Sequence, residues 1–397
     1  MKIAAIIENN IKVGGGFSMS VEILRMLQDL AKKNKYEFLV LNYEKNNSEI
    51  FATLGIDHVN LKDNIFDKFF AFLNYSLLGM YFQKILKYKT NLENILIKNK
   101  VDLTIFVTPS SKPLYLQKTN YATTVFDICH RDFPEFSEVR AFNIFKLREV
   151  LLINTIGQAV FVITESEELK NKIHINFDKD KDRIIAIPNG PSPFLNTEYS
   201  ELDKKYFFEE NNINFPYFFY PAQFWEHKNH IRILHAVKKI VKTGKNIQFI
   251  FCGSDKGNLP FLKKKIEELE LNKNIKILDF VKNRELKILY KNCKAVVMPT
   301  YFGPTNIPPL DAWHCRVPLI YSKHLRAQTG DGALLVDVDS SDDLVEAINK
   351  IDNPDVVNEL IAKGDNMLKN ILNEKKIASS ILEEKILKFK KMKETWS

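Results

Sequence analysis

The sequence predicts an α/β fold of two doubly wound parallel-sheet domains. Three observations carry this. Short apolar runs recur along the chain, most of them followed by a segment with helical spacing, the alternation that parallel sheets require. A polar stretch at 196–214 interrupts the alternation once and reads as a linker. The length, 397 residues with 45% hydrophobic side chains, suffices for two separate cores. The expected division is a first domain over 1–200, a second over 201–375, and a final helix over 376–397 returning to the first domain.

In chain order, residues 2–7 (KIAAII) read as a buried strand, and the loop 8–17 contains Gly14, Gly15 and Gly16. A helix follows, with Ser18 as N-cap and Val21, Leu24, Leu27 and Ala31 at helical spacing. A glycine run between strand and helix lets a ligand or an opposing wall approach the backbone, and it equally serves a turn needing positive φ. It is not G-x-G-x-x-G with an acid about twenty positions on, which argues against a nicotinamide-dependent oxidoreductase.

Residues 65–88 (IFDKFFAFLNYSLLGMYFQKILKY) mix aromatic and basic side chains. They read as a membrane-interface helix or as a buried helix pair of the first domain, and the general burial of aromatic stripes favours the buried pair.

Further strands fall at 101–107, 121–126 and 160–163, with a helix near 145–156. Between them, Asp127, His130, Arg131 and Asp132 crowd the exit of a strand, ahead of Pro134. Open α/β sheets bind ligands at that edge. His130 is suited to orienting or polarising a reacting group near neutral pH, and a loop histidine can equally be a structural donor. Thr164 to Glu167 has capping-box spacing. The strand at 183–187 ends in Pro188-Asn189-Gly190-Pro191.

The second half places strands at 218–222, 247–252, 275–281, 295–298, 318–321 and 334–338. Its first loop, QFWEHKNH over 223–230, carries Lys228 just before a helix, where an ammonium can neutralise a diphosphate. His227 and His230 lack a third ligand nearby, so no metal site is expected. The stretch 301–318 (YFGPTNIPPLDAWHCRVP) is a turn-rich loop, Gly303 to Asn306, entering a helix near Pro308. N–H groups at such a terminus favour an anion, and Asp311 just inside can accept bonds from neighbouring hydroxyls. The combination points to a phosphorylated, hydroxyl-rich ligand such as a nucleotide sugar. The tail from Lys375 spaces its apolar residues as an amphipathic helix.

A formal charge of +8 is compatible with anionic substrates, an acidic membrane surface or nucleic acid, without choosing among them. Four scattered cysteines form no C-x-x-C pair and read as reduced thiols. The first apolar run is too short for a signal peptide, and no stretch approaches the length of a membrane span, so a cytoplasmic location is expected.

Taken together, these stretches resemble the retaining GT-B glycosyltransferases of glycosyltransferase family four (glycosyl transferases group 1), most densely over 218–338. The FGPTNIPPL run looks like the donor loop of a subgroup. The family's strand leads into Glu-Gly-Phe-Gly-Leu-Pro-x-Leu-Glu-Ala, and Ile307-Pro308-Pro309-Leu310-Asp311-Ala312 matches its second half. Asp311 then takes the acidic position that holds the ribose hydroxyls. Eight positions earlier, Gly303 stands where the family has its first Glu, leaving the loop Gly303, Pro304, Thr305, Asn306 and the adjoining Ile307 to hold the donor sugar. The family's phosphate-binding Arg is Gln223 here, five positions before Lys228. Gly15 and Gly16 match the glycine loop that meets the donor diphosphate, Asp127 or His130 lies at the first-domain active-site position, and Val281 sits where backbone groups receive the base.

The resemblance implies two Rossmann-like domains facing across a cleft. It implies retaining, metal-independent hexosyl transfer, without cofactor, from a UDP- or GDP-linked sugar to a hydroxyl of a surface-glycan or lipid-linked acceptor in bacterial lipopolysaccharide or capsule synthesis. Peripheral contact with the cytoplasmic face of the inner membrane is compatible with it, and no nucleic-acid partner is implied. The joint loss of Glu and Arg leaves a second reading, a non-catalytic sugar-nucleotide-binding partner of a glycosyltransferase complex.

Overall fold

The computed structural model describes residues 1–8, 16–53, 55–73, 79, 81, 85, 88–213, 216–279 and 281–396. The chain divides into two compact units. The first holds Met1–Ile128, Phe142–Asn189 and Glu374–Ser397, and the second holds Cys129–Ala141 and Gly190–Asn373. The unit boundary at Ala141/Phe142 coincides with two consecutive left-handed residues, Phe142 (φ 53°) and Asn143 (φ 59°).

The first unit is organised on a parallel sheet of seven strands: β1 Lys2–Ile7, β2 Glu37–Asn42, β3 His58–Asn60, β4 Leu103–Phe106, β5 Asn120–Val125, β6 Val162–Thr164 and β7 Ile184–Ala186. Their spatial order is β3-β2-β1-β4-β5-β6-β7. Strand β1 explains why its sequence is apolar throughout. Ile3, Ala5 and Ile7 face one core and Ala4 and Ile6 the other, so a strand buried on both faces keeps no polar alternation. One face is covered by helix Gly16–Asn34 and by Ala378, Leu382, Ile386 and Phe389, spaced as one stripe of the final helix. Lys375 pairs with Glu22 at 2.7 Å and Lys33 with Glu383 at 2.7 Å along the same face.

The second unit carries a parallel sheet of six strands: β8 Tyr217–Pro221, β9 Gln248–Cys252, β10 Ile275–Leu278, β11 Val296–Met298, β12 Leu319–Ser322 and β13 Leu334–Val336. The order is β10-β9-β8-β11-β12-β13. The direction of winding therefore reverses between β8 and β11, and the loops leaving their carboxyl ends are where a doubly wound sheet receives a ligand.

Several local expectations change. Strands β2 and β3 were not legible, and they extend the first sheet at one edge. Residues 196–214 are not a linker: they contain helix Glu201–Glu210, closed by a reciprocal Ser200–Asp203 capping box, with Phe207 and Phe208 buried in the second core. The first helix opens at Gly16, so Ser18 lies inside it. Thr164 ends β6, and the cap of the following helix is Ser166, whose side chain accepts from the Leu169 N–H. The terminal helix is longer than expected, running Pro354–Lys393.

The aromatic content of 65–88 favoured a buried pair, and the described residues of this stretch divide between buried and exposed. In helix Ile65–Leu73, Asp67 and Phe70 are buried, whereas Ile65, Phe66 and Phe69 are exposed, as are Tyr81 and Ile85. The remainder of this stretch, 74–78, 80, 82–84 and 86–87, lies outside the described residues.

Candidate functional site

The two loops at the switch of the second sheet are tied together. After β8, residues Glu226–Lys228 form one tight turn, closed by Asn229 in a left-handed conformation (φ 58°). Tyr220 on β8 donates its hydroxyl to the Lys228 carbonyl at 2.8 Å. Asn229 donates to the Pro299 and Val338 carbonyls at 3.1 and 2.9 Å, and the Tyr301 N–H donates to the His227 carbonyl at 2.9 Å. The first loop is thus stitched to the exit of β11, which aims Lys228 at the turn that follows. Its ammonium donates to Asn306 Oδ1 at 2.9 Å.

Asn306 is the hub of this turn. Its amide donates to the Gly303 carbonyl at 2.8 Å and to the Tyr321 hydroxyl at 2.7 Å. Gln328 clamps its backbone, accepting from the Asn306 N–H at 3.1 Å and donating to its carbonyl at 2.6 Å, while Tyr321 donates to Gln328 at 2.7 Å. Gly303 has φ +122°, and a Cβ built there would stand 2.5 Å from Asn306 Oδ1. The loop can take this shape only with glycine at 303.

Helix Ile307–His314 follows, and its Pro308 and Pro309 remove two of the first N–H groups. The terminus therefore offers fewer anion donors than a helix start usually does. Asp311, one turn in, is 2% exposed, and its two carboxylate oxygens accept from the Ser192 N–H at 2.7 Å and the Ser192 hydroxyl at 2.8 Å. Burial pushes its carboxyl up to about 7, against the pull of those bonds and of Tyr290. In this arrangement Asp311 holds the chain at Ser192.

The strap Cys129–Ala141 belongs to the same unit. Phe133 stacks on Phe302 with centroids 5.7 Å apart, and Phe136 packs on Tyr301 at 5.3 Å. His227 stacks on Phe302 at 3.8 Å and is bonded through Nδ1 to Glu138, and the Ser137 hydroxyl donates to Glu226 at 2.8 Å. The one-turn helix bearing His130, itself fully buried, is thereby joined to the loop at 301–306. His230 is also fully buried, among Tyr220, Phe224 and Phe251, and burial pushes it down to about 3, so its imidazole is neutral.

Of the residues singled out in the sequence, Lys228, Gly303 and Asn306 are in direct contact. Pro304 and Thr305 are half-buried in the same turn, and Ile307 is buried behind it. Gln223 follows β8 and accepts from the Trp225 indole at 3.1 Å. Val281 is half-buried in the loop after β10. Asp127 is placed in the first unit, paired with Arg148 at 2.6 Å. Gly15 lies outside the described residues, and Gly16 opens the first helix.

These loops lie on a fold with named relatives. Residues 203–366 match the family described as glycosyl transferases group 1. The chain is 28% identical over 221 residues to the O-antigen chain mannosyltransferase RfbU of Salmonella typhimurium, a match spanning 54% of this chain and 58% of that protein. The match thus covers little more than half of that relative's length. Among solved structures, Alr3699/HepE from Anabaena, in complex with UDP-glucose, superposes with a TM-score of 0.71 at 16% identity, covering 97% of this chain and all of that one. A glycosyltransferase from Rickettsia africae superposes with a TM-score of 0.68 at 14% identity, covering 96% and 98%. The fold is GT-B, with the sheets of seven and six strands of that class.

The first unit adds groups that sequence reading missed. Glu165, just after β6, is 7% exposed and its carboxyl is pushed up to about 8 by burial, against an Asn189 hydrogen bond and with help from the Asp127 charge. Strand-exit positions on β5, β6 and β7 thus bring Asp127, Glu165 and Asn189 to one edge, a convergence that spacing along the chain does not reveal. After β1, Glu8 bonds to Ser110 and lies 3.7 Å from the buried Lys112, which also pairs with Asp63 and stands 3.9 Å from the Tyr43 ring centroid. Beside this cluster is a surface cavity of about 810 Å³, lined by Tyr43, Lys45, Asn46, Asn60, Lys62 and Asn91 among others. Among the described residues, no three His, Cys, Asp or Glu side chains gather as a metal site.

Proposed function

We propose that this protein is a retaining glycosyltransferase that moves a hexose, such as mannose or glucose, from a UDP- or GDP-linked donor to a hydroxyl of a surface-glycan or lipid-linked acceptor. The observation that carries the reading is the contact of Lys228 with Asn306 at the switch of the second sheet, inside the stretch matched to the glycosyl transferases. It sets a cation beside a turn shaped for close approach. In the proposed reaction Lys228 neutralises charge growing on the departing diphosphate, the effect expected to dominate such a transfer. The loop Gly303–Ile307 holds the sugar, and backbone at Val281 receives the base. The glycines at 15 and 16 meet the diphosphate, and His130 with Asp127 orients sugar or acceptor. No metal is required in this scheme. The RfbU and HepE likenesses support a nucleotide-sugar donor and a role in cell-surface glycan synthesis.

The test is acceptor-dependent release of nucleoside diphosphate from a panel of UDP- and GDP-sugars. Lys228→Ala should weaken donor binding roughly tenfold or more by loss of a charge-assisted contact. Unchanged donor affinity in that variant would remove the second unit as the donor site. The sequestered Asp311 and the glycine at 303 favour one second reading, a non-catalytic sugar-nucleotide-binding partner. Donor binding with no turnover on any acceptor would establish it.

A further inference from the structure

The apolar face of helix Ile65–Leu73 is a feature that the proposed donor site leaves unexplained. Ile65, Phe66 and Phe69 are 77%, 63% and 55% exposed. At helical spacing they form one contiguous face, edged by the exposed Lys68. The helix is fixed from behind. Buried Asp67 accepts from the Asn91 N–H at 2.9 Å, the Tyr88 hydroxyl at 3.0 Å and the Asn64 N–H at 3.3 Å, and Phe70 stacks on Tyr88 at 4.0 Å. A carboxylate with three donors and a stacked ring pin the register, so the outward aromatics are held where they are. Two more large apolar side chains of this stretch, Tyr81 and Ile85, are also exposed.

The charges that the described residues of this stretch expose have one sign. Residues 62–89 contain five lysines and two acids. Both acids are turned inward, Asp63 to Lys112 and Asp67 to its three donors, whereas Lys62, Lys68 and Lys89 are exposed. Apolar rings in a lysine rim, on a helix too short to cross a bilayer, have the chemistry of an interfacial contact. A second copy of the chain would bring like charges together, so the rim selects an anionic occupant.

We infer that this face, Ile65, Phe66 and Phe69 rimmed by Lys62 and Lys68, docks the first unit on an anionic phospholipid surface. The docking complements the proposed transfer to a lipid-linked or surface-glycan acceptor and rests on that reading only for its purpose. Lys62 of this rim also lines the cavity bounded by Tyr43 and Asn91.

The experiment is vesicle flotation of the full chain with pure phosphatidylcholine and with phosphatidylcholine containing about one quarter phosphatidylglycerol. Binding should require the anionic lipid and weaken as salt is raised. Ile65→Ser/Phe66→Ser/Phe69→Ser should reduce partitioning about tenfold per side chain removed, and Lys68→Glu by about fivefold. All four positions are exposed, so unchanged melting and donor binding confirm that the variants fold. Equal binding of wild type and triple variant, equal binding to both vesicle types, or a wild-type dimer that the triple variant dissociates would each overturn the proposal. Flotation needs no donor and donor binding needs no vesicle, so each reading can fail while the other stands.

Discussion

Placing an acid at position 303, as the motif that this loop resembles has, should damage the loop. Gly303 sits at φ +122°, where an L-residue is strained by roughly 1–3 kcal/mol. Its added Cβ would also fall 2.5 Å from Asn306 Oδ1 and 2.6 Å from Nδ2, so the Asn306 amide must move. That movement breaks the bonds to Lys228 at 2.9 Å, to the Gly303 carbonyl at 2.8 Å and to Tyr321 at 2.7 Å. At about 1 kcal/mol for each neutral bond and about 2 for the charged one, the contacts at risk amount to roughly 4 kcal/mol. Gly303→Glu and Gly303→Ala should therefore both lower the melting temperature and weaken donor binding tenfold or more, read by thermal shift and by calorimetric titration. The alanine variant isolates backbone and Cβ from the carboxylate. Adding Asn306→Ala to Gly303→Ala removes the clash, so the double variant should lose less than the sum of the singles. A Gly303→Glu protein as stable as wild type and faster in turnover would refute this account, making position 303 a simple vacancy for an acid.

Two further predictions concern the same loop. Asp311 has a folded-state value of about 7, above its ordinary 3.8, so the native state binds more protons between those values and stability falls as pH rises through that window. Asp311→Asn should abolish that slope and gain up to about 4 kcal/mol relative to wild type above pH 7, with little difference near pH 4. Urea titrations of both proteins from pH 4 to 8.5 check this, and an unchanged slope would show that Asp311 is not the titrating group. Gln328→Ala frees both backbone groups of Asn306 and should raise the donor KM several-fold more than it lowers kcat, with partial rescue by Gln328→Glu, which keeps the acceptor only. A loss confined to kcat would show that Gln328 does not hold the donor loop.

The fold was legible because its carriers are local. KIAAII is short, apolar after Lys2 and closed by a polar, glycine-rich loop, which reads as a strand buried on both faces, and residues 3–7 divide between two cores as a period of two requires. Lys228 could be singled out because a loop leaving β8 into a helix has one place to go in a doubly wound sheet. What sequence could not show is set by contacts between distant positions. Ser192 reaches Asp311 across 119 residues, and Gln328 reaches Asn306 across 22, neither with any pattern in the chain. The helix Glu201–Glu210 was missed because its polar content resembled a linker, although Phe207 and Phe208 bury there. At 65–73 the general preference of aromatics for the core holds for Phe70 and fails for Phe66 and Phe69. One buried carboxylate, Asp67, fixes that helix with Phe66 and Phe69 outward.

The departures of the loop at 301–309 and of Gln223 from the motif they resemble also form a set. Pro308 and Pro309 strip N–H groups from the helix start, and Gln223, standing where the family has an arginine, is bonded to the Trp225 indole. Among the positions carried over from the family's donor motifs, cationic charge therefore rests on Lys228. On the acidic side, Gly303 carries no carboxylate, and Asp311 sits near the midpoint of its titration at neutral pH, turned to Ser192. One cation and one acid are missing together, at Gln223 and Gly303, so the two losses cancel in the net charge of these positions. Asn306 is bonded on four sides, by Lys228, Gly303, Tyr321 and Gln328, so both its side chain and its backbone are fixed and the loop has one shape to offer a ligand.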